Sequence, residues 1–157
     1  MSTIEKKSLK VGKYVDNDHV NTVISNYKKE RWVHNSKRLG KEDSLSVWYS
    51  AEELQEFIET IQEHGADGIR MYFAAYPNEE VMSKGKDGRQ SIVLVATRSK
   101  EENGKRVNKD VYTYENGKAT IMAYNMGDYC PPYCAGGLGG ALGVVIVNDG
   151  KNGLSVI

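Results

Sequence analysis

The sequence predicts an α+β fold, a single domain with two helices packed on a mostly antiparallel sheet of about four or five strands. Three observations carry that prediction. A capping box opens at Ser50 and leads into an apolar stripe of helical period. Ser91–Thr97 is a nearly continuous apolar run. Asn116-Gly117 separates two β-like runs and is a strong short-range hairpin signal, because both residues tolerate positive φ.

The first helix is expected over Asp18–Glu30. Val20, Val23, Ile24 and Tyr27 share one helical face, Asp16 or Asp18 can cap the start, and Lys28, Lys29 and Arg31 suit the negative end of the macrodipole. Residues 34–44 are polar, contain Gly40 and read as a loop. Leu45–Tyr49 is a short β-like run. Ser50 then caps a second helix, with Glu53 three residues on to reach back to the Ser50 amide. Leu54, Phe57, Ile58 and Ile61 form its apolar stripe, and Gly65 ends it.

Ile69–Tyr76 reads as a strand, with Ile69, Met71 and Phe73 on one face and Arg70 and Tyr72 on the other, closed by Pro77. The strand–helix–strand stretch from Leu45 to Tyr76 could contribute one parallel pair through a right-handed crossover. Residues 78–90 form a polar connection, and Ser91–Thr97 is a central strand. Residues 98–110 read as a charged loop, and Val111–Tyr114 with Ala119–Tyr124 make the hairpin.

The composition changes after Tyr124, which divides the chain into a globular domain at 1–124 and an appendage at 125–157. The appendage holds Cys130-Pro131-Pro132-Tyr133-Cys134 and then a glycine-rich run over 136–143. Val144–Val147 and Leu154–Ile157 are uncharged and β-prone. Left exposed they would template intermolecular pairing, so they are expected to add to the domain's own sheet or to bury against another subunit of a homo-oligomer, in preference to a membrane surface because no basic amphipathic helix accompanies them.

Charge and length exclude several functions. Lys plus Arg and Asp plus Glu are both 21, so no basic footprint for nucleic acid exists. The apolar stretch from Ala135 to Val147 is broken by glycines and is too short for a membrane span. The lysine-bearing N-terminus lacks an apolar core and cleavage site, so a cytoplasmic location is expected.

Chemistry-bearing candidates are few. Cys130 and Cys134 could close a reversible disulfide or capture a soft metal. A structural zinc site needs four ligands, however, and His19, His34 and His64 lie far away in sequence, so no metal or cofactor is expected. The bland reading, two small apolar residues in a proline-stiffened turn, is preferred. The glycine run meets neither the dinucleotide fingerprint nor the P-loop pattern. His64 with Glu63 and Asp67 would be the start of a hydrolase site, but these residues read better as a helix end and a turn. Arg70, Tyr72 and Tyr76 share one strand face. An arginine among tyrosines suits an acidic or planar group, so these three are the candidate ligand-facing residues.

Trp48–Leu54, Asp67–Pro77 and Cys130–Cys134, taken in that order, resemble a group of small bacterial proteins of the Bacteroidetes type with a C-terminal Cys-Pro-Pro segment. The likeness covers roughly residues 45–134 and implies a bacterial, cytoplasmic, single-domain protein. No established activity attaches to that group, so it implies no catalytic residue. The leading expectation is a non-enzymatic module that binds a protein partner or a small ligand. A thiol protein using Cys130 and Cys134 is the first alternative, and a small hydrolase the second.

Overall fold

The computed structural model describes residues 9–78 and 86–131, and the backbone of 144–147 and 153–156. It is a mixed α+β fold whose strand pairings, among the described residues, are all antiparallel.

Helix α1 (Asn17–Tyr27) starts at Asp16, whose carboxylate accepts the His19 amide at 2.9 Å. The backbone stays helical through a π-type turn at Lys28–Trp32 and into α2 (Val33–Leu39). Gly40 then ends the rod in the left-handed region at φ 70°. The expected loop at 34–44 is therefore helical over its first half, and Gly40 marks the stop. No residue of α1 or α2 is buried. The rod is held through polar contacts: the Trp32 indole donates to the Asp43 carbonyl at 2.8 Å, and the Tyr27 hydroxyl donates to Gln90 Oε1 at 2.7 Å.

Strand β1 (Ser46–Trp48) leads into α3 (Ala51–Glu63). The capping box forms as expected: Ser50 Oγ accepts the Glu53 amide and Glu53 Oε2 accepts the Ser50 amide, both at 3.1 Å. At the other end the Gly65 amide bonds Gln62 O and the Ala66 amide bonds Ile61 O. Those two bonds make a Schellman motif around Gly65 at φ 82°.

Strand β2 (Gly68–Ala75) pairs along its length with the first part of β3 (Gln90–Glu102). The opposite edge of β3 is shared by β4 (Lys105–Asp110), opposite Thr97–Glu102, and by β7 (Ala123–Tyr124), opposite Leu94 and Val95. The charged loop expected at 98–110 is thus a long hairpin. Its turn, Asn103-Gly104, has φ 52° and 75°, the same chemistry as the Asn116-Gly117 turn of β5 (Tyr112–Glu115) and β6 (Lys118–Ile121).

The expected parallel pair does not form. β1 pairs antiparallel with β8 (Asp128–Cys130), setting Val47 opposite Tyr129. Gly127 lets these segments close: a Cβ there would lie 2.7 Å from the Trp48 carbonyl oxygen. Strands β9 (Val144–Val147) and β10 (Gly153–Val156) pair with each other as a hairpin, with Val144 opposite Val156. The glycine-rich run at 136–143 lies outside the described residues.

The core lies on one face of the sheet. Phe57 and Ile61 of α3 pack with Ala66, Leu94 and Ala96, and Tyr49, Leu54, Ile69 and Tyr124 border them. The Phe57 and Tyr124 rings stack at 5.2 Å.

Candidate functional site

Alternation places Arg70, Tyr72, Ala74 and Tyr76 on the sheet face opposite α3, as the sequence leads one to expect. The structure nevertheless separates the three candidates. At one end, Arg70 Nη1 reaches across β3 to Asp110 Oδ1 on β4 at 2.6 Å, and Nη2 donates to the Asn108 carbonyl at 2.6 Å. The Tyr72 hydroxyl donates to the other Asp110 oxygen at 2.6 Å and accepts from Arg70 at 3.2 Å. The Tyr72 hydroxyl and the Asp110 charge together hold the guanidinium pKa above its ordinary value. Arg70 is therefore already engaged by an internal carboxylate.

At the other end Tyr76 turns inward and is 8% exposed. Its hydroxyl donates to Asn125 Oδ1 at 2.7 Å, accepts from Ser91 Oγ at 3.2 Å, and is hydrogen-bonded to the Tyr129 hydroxyl. Asn125 Nδ2 donates to Ser91 Oγ at 2.9 Å and to the Ile92 carbonyl at 2.8 Å. Burial pushes the Tyr129 hydroxyl well above the ordinary tyrosine pKa. Tyr76 is thus part of a buried polar cluster that fastens β8 to the sheet and does not face a ligand.

Other candidates disperse in the same way. The His64 ring bonds the Thr60 carbonyl at 2.9 Å, while the Asp67 carboxylate accepts the Ser99 amide at 3.0 Å, so no acid–base pair assembles from them. Cys130 is buried and disulfide-bonded, and Cys134 lies outside the described residues. Among the described residues no three His, Cys, Asp or Glu side chains gather as a metal site, and no helix is long and apolar enough to cross a membrane.

Two features escaped the sequence. Asp43, 2% exposed, accepts the Ser44 amide at 2.8 Å, the Gln90 amide at 2.7 Å and Asn35 Nδ2 at 3.1 Å, joining the N-terminal rod to β3. No local pattern marks such a residue. The second is the open edge of β2. Among the described residues β2 is the last strand of its sheet, and it carries Met71 at 62% and Phe73 at 84% exposure. Ile69, Met71 and Phe73 share one strand face, as the alternation predicts, but of the three only Ile69 packs against the core. The β3 partners of Met71 and Phe73 on that face, Leu94 and Ile92, are in the core or packed against it, so it is the outer strand β2 that meets water.

From Gly68 to Ala75 the strand has one charged residue, Arg70, which Asp110 neutralises, and no proline. Among the described residues no strand pairs with the outer edge of β2. The chain matches no family model, no curated protein and no solved structure.

Proposed function

We propose that this chain is a non-enzymatic protein-interaction module that works by strand addition at the open edge of β2. The observation that supports it is that β2, the terminal strand of its sheet among the described residues, carries two large exposed apolar side chains, Met71 and Phe73. A partner strand gains affinity from main-chain hydrogen bonds and specificity from alternate side chains. Arg70 and Tyr72 then act as a closed polar border beside the seam, in place of the ligand-facing role expected for them.

A photo-crosslinking amino acid installed at position 73 tests this in cells of the native host. Covalent adducts with polypeptide are expected at 73 and not at Lys118, which is exposed on β6. Equal or absent labelling at the two positions overturns the reading.

One observation favours the thiol protein as a second reading: Cys130 is oxidised and sits beside the buried Tyr129. Disulfides persist in oxidising compartments, so this reading also favours such a compartment over the cytoplasm. Differential alkylation of host cells tests it: a Cys130 trapped in the reduced form throughout removes that support.

A further inference from the structure

We infer that the occupant of the β2 edge is a second copy of this chain, paired antiparallel about a two-fold axis, with Tyr72 opposite Tyr72 and Met71 opposite Phe73 of the partner. This rests on the interaction reading above and names the partner.

The backbone fixes which groups face outward. The Tyr76 amide bonds the Arg89 carbonyl at 3.0 Å, continuing the ladder in which Ala75 faces Gln90. In an antiparallel ladder successive residues point their N–H and C=O to opposite sides. Tyr76, Ala74, Tyr72 and Arg70 therefore turn these groups toward β3, and Ala75, Phe73, Met71 and Ile69 turn theirs outward. A two-fold axis normal to the sheet through Tyr72 makes Tyr72 a non-hydrogen-bonded pair. It also makes Met71 with Phe73, and Ile69 with Ala75, hydrogen-bonded pairs on both sides of the axis. Every outward N–H and C=O from Ile69 to Ala75 then finds a partner.

The side chains agree with this register. Met71 and Phe73 lie on the same face as Ile69, Leu94 and Ala96, so the pairing joins four exposed apolar side chains into a bridge between the two cores. A thioether against an aromatic ring is a favourable contact. Charge does not oppose self-pairing. Arg70 is neutralised by Asp110, so two copies meet without like-charge repulsion. A surface that satisfies itself when rotated onto itself is what a two-fold interface requires.

Sedimentation of the full chain and cysteine cross-linking test the inference. The wild type is expected as a dimer. Phe73→Lys and Met71→Lys, both at exposed positions, should each weaken self-association by about 30-fold or more, the size of a hot-spot loss. Circular dichroism should show both variants folded. A non-hydrogen-bonded pair brings Cα atoms to about 4.5 Å, within disulfide range. Tyr72→Cys should thus give a reducible dimer under mild oxidation that the wild type does not.

A wild type that sediments as a monomer up to about 10⁻³ M, well beyond the range of stable interfaces, overturns the inference. Cross-linking by Met71→Cys in place of Tyr72→Cys overturns the register. A position-73 photo-adduct with a different protein, or with residues 144–156 of the same molecule, and none with a second copy, overturns the occupant. The first of these leaves the interaction reading standing, whereas no polypeptide adduct at all removes both.

Discussion

Arg70 on β2 and Asp110 on β4 form an ion pair at 2.6 Å across the strand that separates them. The pair links the two flanks of β3 and takes the charge of Arg70 away from any ligand. Tyr72 shares the same carboxylate, so the three side chains act as one unit. Asp110→Asn should lower the melting temperature slightly, and the loss should shrink as salt is added, because the pair is partly solvated. A double-mutant cycle with Arg70→Gln should show coupling at low salt. Additive losses at every ionic strength would remove the link from the account.

The core prediction contrasts two residues of the helical stripes. Phe57 is buried against Tyr124, so Phe57→Ala should cost about 3–5 kcal/mol. Val23 on α1 is exposed, and Val23→Ala should stay within about 0.5 kcal/mol. Urea unfolding of both variants checks the pair. Equal losses would mean that α1 and α3 are buried alike.

Glu53 gives the pH dependence at the acid side. The Tyr124 hydroxyl donates to its Oε1 at 2.6 Å, and with the Ser50 amide it holds the carboxyl below the ordinary value. A depressed folded pKa stabilises the fold above the unfolded value, and that stabilisation is lost as pH falls through the folded value. NMR titration of the Glu53 carboxyl should therefore show a midpoint below 4.5, the ordinary value. Tyr124→Phe should move it upward. A midpoint unchanged by that substitution would separate the tyrosine from the cap.

Tyr129 governs the alkaline side. Burial raises its pKa, so the unfolded chain ionises first as pH rises. The stabilisation from the neutral hydroxyl is complete below about pH 10, the ordinary tyrosine pKa, and drains away above it. Tyr129→Phe should remove part of the alkaline fall in melting temperature. It should also destabilise at neutral pH by about 1–3 kcal/mol, because Ser91 and Tyr76 lose a buried partner. An unchanged alkaline profile would place Tyr129 in water.

The sequence by itself determined the elements whose signals are local. The α3 cap, its apolar stripe and the Gly65 stop rest on side chains and amides within one or two turns of each other. The Asn116-Gly117 hairpin depends on two residues that accept positive φ. The same signal stood at Asn103-Gly104, but the charged residues around it concealed a hairpin whose strands extend beyond the core into water.

Tertiary structure alone decided the rest, because burial depends on which segments meet. The helical rod through Leu39 is anchored by Asp43 just beyond it and by the distant Gln90, contacts that no periodicity announces. Ile69, Met71 and Phe73 have one alternation and two fates: Ile69 packs against the core, while Met71 and Phe73 on the outer strand stay exposed. Arg70 and Tyr76 share a strand face, yet one meets a carboxylate from β4 and the other a buried hydroxyl from β8. Those partners lie 40 and 53 residues along the chain, and only the closure of β4 and β8 onto the sheet brings them within reach.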